Sequence, residues 1–152
     1  MTLENYQNIL DKTIKDPITN MLLKNSNLTR IQFETLVIDM LIDLMSDENV
    51  TFDQKLHFRR ENISRGSFSR SLQQARKNII ESILTIVLLS YIGVFDERPF
   101  DDYVFLAERL KEYVEIIQST ENQEKNSVIK RIEAELLEGI SDLIRPTNIQ
   151  IM

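Results

Sequence analysis

Cysteine is absent from these 152 residues, and histidine occurs once, at His57. The first absence excludes disulfides and thiolate chemistry. The second would leave a zinc site with carboxylates for nearly all its ligands, an uncommon donor set. It also leaves any serine nucleophile with a single candidate base. Glycine and proline number only three each, which favours long helices over turn-rich architectures. No glycine-rich loop capable of cradling a phosphate is present. Acid pairs such as Asp101–Asp102 and Glu133/Glu135 do occur, but the chain has 24 acids, and such pairs read as solvated helix faces. Neither an enzymatic activity nor a cofactor is expected.

Long hydrophobic runs are also scarce. The best candidate, Ile79–Phe95, is 17 residues long and contains Glu81. It falls short of the roughly 20 apolar residues of a spanning helix and reads as a buried core helix. The start, MTLENYQNILDK, lacks the basic segment and apolar run of a secretory signal. The expectation is a cytoplasmic protein with no membrane partner. Apolar residues make up 42% of the chain, enough for a real core. The length suits one domain, or a small domain with an extension.

Helix signals dominate the chain, and no strand pattern or internal repeat stands out. Residues 3–24 read as one or two short helices, with Asp16 before Pro17 as a capping acid followed by proline at the first helical position. Asn25–Asn27 is a polar break. Over Thr29–Met45, Ile31, Phe33, Leu36, Val37, Met40, Leu41, Leu44 and Met45 follow a 3.6-residue period. Thr51 and Gln54 match a capping box that starts a helix running from Phe52 to about Arg60. After the interruption Asn62-Ile63-Ser64, with Ser64 a plausible cap, the pattern allows an unbroken helix from Arg65 to Tyr91, ended by Gly93. Leu106, Leu110, Tyr113 and Ile117, and later Val128, Ile132, Leu136, Gly139 and Leu143, recur at near-helical steps. Ser119–Asn126 fits either a hairpin loop or the exposed middle of one long helix. The expected fold is all-α: a helical bundle containing a helix-turn-helix, with a long central helix and C-terminal helices. The expected organisation is a helix-turn-helix-containing domain over 1–95, an acidic helical region over 96–145 and a tail over 146–152.

Charge is distributed unevenly. Between Lys55 and Lys77 lie seven basic residues (Lys55, Arg59, Arg60, Arg65, Arg70, Arg76, Lys77) and one acid, Glu61, a net +6; the remaining 11 basic and 23 acidic residues give −12. A local reversal this strong suits a polyanionic partner. Overall acidity argues against indiscriminate binding and for one localised basic face.

Two helices separated by a tight break, the second basic, describe a helix-turn-helix. In the second helix Phe68, Leu72, Ala75 and Ile79 form an apolar stripe. The opposite face carries Arg65, Ser69, Arg70, Gln73, Arg76 and Lys77, side chains that can donate to base edges or phosphate. The stretch ISRGSFSRSLQQARKNI resembles the recognition segments of helix-turn-helix transcription regulators and the DNA-reading region of sigma-type factors. The resemblance covers residues 51–78 and implies sequence-directed binding to duplex DNA. Ser69, Arg70 and Gln73 are the candidates for base reading. Arg59, Arg60, Ser64, Arg65, Arg76 and Lys77 are the candidates for backbone contact. An RNA reader of single-stranded bases would show exposed aromatics for stacking, and only Phe58 and His57 lie near.

The run Ile79–Tyr91 is apolar on every side, so it calls for enclosure by other helices, partly by those of a second subunit. A homodimer would read two half-sites about one helical turn apart. The expectation is therefore a small dimeric transcription regulator. The alternative is a helical adaptor whose basic patch binds an acidic protein.

Overall fold

The computed structural model describes residues 3–44, 51–59, 62–95 and 99–143. Within these residues the fold is all-α, with seven helices and no strand. They are α1 (Leu3–Lys15), α2 (Pro17–Lys24), α3 (Arg30–Leu44), α4 (Phe52–His57), α5 (Arg65–Tyr91), α6 (Pro99–Ser119) and α7 (Asn122–Leu143). The tail over 146–152 lies outside the described residues.

Helix ends follow from local chemistry. Asp16 caps α2, its carboxylate accepting from Thr19 N–H at 2.6 Å, with Pro17 at the first helical position. A reciprocal capping box opens α3. Thr29 N–H donates to Gln32 Oε1 at 3.0 Å, and Gln32 N–H donates to Thr29 Oγ1 at 3.2 Å. At α4, Thr51 N–H donates to Gln54 Oε1 at 2.8 Å. At α5, Ser64 Oγ accepts from Ser67 N–H at 3.1 Å. The C-terminus of α5 closes in a Schellman motif: Gly93 has φ 77°, its N–H reaches Ser90 O at 3.1 Å, and Val94 N–H reaches Leu89 O at 2.9 Å. A left-handed residue at that position is what glycine permits at little cost. Helix α4 stops at His57, short of the expected Arg60. Phe58 and Arg59 turn tightly, donating to Lys55 O and Leu56 O at 3.3 and 3.2 Å, and Phe58 packs against the core.

The chain divides into two compact units, Met1–Ser82 and Ile83–Met152, so the division falls inside α5. In the first unit Leu10 and Ile14 of α1, Ile38 and Ile42 of α3, and Phe68 of α5 form the core. Phe52 meets Phe68 edge-on, with ring centroids 5.6 Å apart, the geometry that the ring quadrupoles favour. On α3 the buried positions are Thr35, Ile38, Asp39 and Ile42. Ile31, Met40 and Leu44, members of the same periodic apolar set, are exposed. Apolar residues ring this helix, so periodicity established the helix while neighbours chose the face.

In the second unit α6 and α7 form an antiparallel hairpin through Thr120–Glu121, and Leu110, Ile117 and Ile132 are buried. Leu106, Tyr113, Val128 and Leu136 are half-buried, as their spacing predicts. Burial and the nearby Asp102 carboxylate push the Tyr103 phenol up.

Enclosure of the apolar part of α5 is not observed. Within the second unit Ile83, Leu84, Val87, Leu88 and Tyr91 are exposed, while Ile86 and Leu89 on the other side are half-buried. Surrounding a helix takes several neighbours. Here the two other helices among the unit's described residues, α6 and α7, pack on each other. No described helix is long and apolar enough to cross a membrane.

Candidate nucleic-acid interface

The basic stretch is carried by α4, the connection after it, and the first half of α5. Two anchors fix α5 here. Phe68 and Ala75 are both fully buried, and Leu72 packs against the same core. A helix held by positions 68, 72 and 75 must turn the intervening residues outward. Ser69, Arg70 and Gln73 are accordingly all exposed, on one outward face. Asn78, one turn beyond Ala75, ties α5 to the start of α3. Its amide donates to Asn27 O at 2.8 Å and to Gln32 Oε1 at 3.2 Å.

The backbone candidates occupy different settings. Ser64 is exposed and accepts from Ser67 N–H, leaving its hydroxyl hydrogen available. Arg59 is half-buried. Arg60 lies outside the described residues. Arg65 is exposed and grips Asp53 in a bidentate contact: Nε donates to Oδ1 at 2.9 Å and Nη2 to Oδ2 at 2.5 Å. The same guanidinium sits over the Phe52 ring, 5.7 Å from its centroid. The hydrogen bonds from Arg65 hold the Asp53 carboxyl below its usual range, and Asp53 in turn raises Arg65. Lys77 pairs with Glu81 one turn along, at 3.7 Å.

Arg76 donates through Nη2 to Asp39 Oδ2 at 2.8 Å, and Lys55 donates through Nζ to Asp39 Oδ1 at 3.1 Å. Asp39 is only 7% exposed, so one buried carboxylate joins α3, α4 and α5. A buried charge is tolerated when it is paired and hydrogen-bonded, and here both oxygens are engaged. Lys55 also lies 3.7 Å from Asp43.

These contacts revise the charge of the face. Asp39, Asp43, Asp53 and Glu81 fold onto four of the seven basic residues. Among the described residues those four carboxylates offset part of the window's positive charge. Arg70 has no ion pair among the described residues and sits between Ser69 and Gln73 on the outward turns.

The sequence reading missed Asp39 altogether. A signal was present: Thr35, Ile38, Asp39 and Ile42 fall at helical spacing, with a carboxylate inside the stripe. It was hidden by the other apolar residues around α3. His57 is exposed, and its Nδ1 lies 2.6 Å from Asp53 O, one turn back in α4. A cavity of about 460 Å³ beside α4 is lined by Glu4, Gln7, Gln54, His57 and Phe58. No group of three or more potential metal ligands occurs among the described residues.

No protein-family model matches the chain, and neither a curated protein nor a solved structure matches it.

Proposed function

We propose that residues 51–78 bind duplex DNA in a sequence-directed manner, with α4 and α5 acting as a helix-turn-helix, and that the protein is a small transcription regulator working as a pair of copies. One observation carries this reading. Burial of Phe68 and Ala75 turns Ser69, Arg70 and Gln73 outward together near the start of a capped helix. Arginine and glutamine side chains at such positions match the donor and acceptor patterns of guanine and adenine in the major groove. Arg59, Arg60, Ser64, Arg65, Arg76 and Lys77 set register on phosphate.

Internal pairing shapes the mechanism. With part of the positive charge offset by Asp39, Asp43, Asp53 and Glu81, non-specific attraction is weakened, and selectivity comes from the base-reading turn. Arg65 exchanges Asp53 for a phosphate, a swap between two anionic partners of similar geometry.

Fluorescence anisotropy with a duplex pool at low and moderate salt tests this. Binding that weakens as salt rises, with a slope of about 0.9 per neutralised phosphate, is expected. After selection of a preferred site, Arg70→Ala or Gln73→Ala lowers the preference for that site by roughly 1–3 kcal/mol. Arg76→Ala weakens all sequences alike. Absence of binding at low salt overturns the DNA reading and favours an acidic protein as the partner of the patch.

A further inference from the structure

We infer that the exposed apolar face of α5 in the second unit is a self-association surface whose occupant is the same face of a second copy of this chain. Ile83, Leu84, Val87, Leu88, Tyr91 and Ile92 are between 45% and 74% exposed. At 100° per residue the five within α5 fall on one half of the helix circumference, and Ile92 follows directly in the turn that ends it. Ile86 and Leu89 lie on the other half, where they are half-buried. The face is therefore a continuous strip, two side chains wide and three turns long. Isolated exposed apolar residues are ordinary, but a contiguous strip of this size marks an interaction site.

Its charge and area select the occupant. From Ser82 to Phe95 there is not one charged residue, although residues 83–152 hold 13 acids against 7 bases. The strip offers no charge for a hetero-partner to complement. It also brings no like charges together when two copies meet, even though the second unit of each copy is acidic. A two-fold contact between identical strips is self-complementary by construction. The six side chains expose roughly 600 Å² on each copy, so mutual coverage buries about 1,200 Å², the lower limit of a specific interface. A small monomeric partner segment covers one such strip; a second copy covers both at once. The surplus of exposed apolar surface on both chains is removed in a single event.

The pairing rests on the two-copy arrangement proposed above but not on its DNA binding, so loss of association and loss of DNA binding are read out separately. Light scattering and sedimentation of the full chain at micromolar concentration, without nucleic acid, are expected to give twice the 17.9 kDa of one chain. The double variant Leu84→Glu/Leu88→Glu is expected to associate at least about tenfold more weakly, because each carboxylate would be stranded in an apolar contact, with its far-ultraviolet circular dichroism unchanged. If that variant loses helical signal, cross-linking decides. The chain has no cysteine, so Val87→Cys treated with a short bismaleimide yields a covalent dimer, whereas Lys130→Cys on α7 does not. A wild-type mass of 17.9 kDa throughout the micromolar range overturns the proposal. So does a dimer that survives the double variant in folded form, and so does equal cross-linking from both cysteine variants. A monomer that binds phosphatidylcholine vesicles through this strip overturns the second copy as occupant and assigns a lipid surface.

Discussion

The two parts of α5 answer the same solvent in opposite ways. Over Arg65–Ser82 the helix is mixed in polarity, yet Phe68 and Ala75 are fully buried. Over Ile83–Tyr91 it is almost entirely apolar, yet Leu84, Leu88 and Tyr91 are 58%, 57% and 74% exposed. Hydropathy alone ranks these segments in the wrong order of burial. What separates them is the supply of neighbours: α1, α3 and α4 contribute to the core that receives Phe68, whereas α6 and α7 pack on each other. Burial belongs to a place in the fold before it belongs to a residue type.

The strongest way to break this comparison is to truncate each segment. Phe68→Ala is expected to destabilise the first unit by about 3–5 kcal/mol, since a buried ring leaves both its transfer energy and a cavity behind. Leu88→Ala, measured at a concentration where the chain is monomeric, is expected to cost less than about 1 kcal/mol, as for other exposed positions. Urea denaturation checks both, and similar losses would remove the contrast between the two segments.

Next in size is Asp39→Ala. It leaves Lys55, whose side chain is only 17% exposed, with Asp43 at 3.7 Å as its remaining described carboxylate, and releases the more exposed Arg76. A loss of roughly 1–3 kcal/mol is expected. The same substitution adds one unit of positive charge to the proposed DNA face, so affinity for duplex is expected to rise while stability falls. Parallel thermal melting and anisotropy titrations check the opposed signs. A fall in both would give Asp39 a part in positioning the interface that outweighs its charge.

Thr29→Ala removes one side of the capping box of α3, with an expected cost of about 1 kcal/mol by denaturant titration. Comparison with Ser64→Ala, the corresponding cap of α5, shows whether the two helices of the core depend equally on their caps.

The smallest effect concerns pH. The Asp53 carboxyl is held below its ordinary value by Arg65, so the carboxylate form is favoured in the folded state. The resulting stabilisation is present at neutral pH. It fades as pH falls below the ordinary carboxylate range toward the lowered folded value. Both groups are exposed, and solvent screening keeps the effect slight. Carboxyl-detected NMR titration is expected to show Asp53 returning toward its ordinary value in Arg65→Ala.

Much of the helical framework was legible in the sequence. Asp16-Pro17, Thr51 with Gln54, Ser64 and Gly93 each marked a helix end through a local hydrogen bond or a local backbone requirement, and such signals need no tertiary contact. The stripe Phe68, Leu72, Ala75 was readable because polar residues separate its members. The inward face of α3 was not, because Ile31, Met40 and Leu44 are as apolar as Ile38 and Ile42. The charge of the basic stretch was legible residue by residue but not as a sum. Its partners Asp39 and Asp43 lie on another helix, and pairing at 2.8–3.7 Å follows from the packing of α3 against α4 and α5.

The sequence by itself determined an all-α chain, most of its helix boundaries and the outward turn that carries Ser69, Arg70 and Gln73, because these depend on contacts within a few residues. Only the tertiary structure decided which side of α3 is buried, which basic groups are matched by acids and which apolar side of α5 faces water. Those depend on what other helices bring near, and a single helix carries no record of its neighbours.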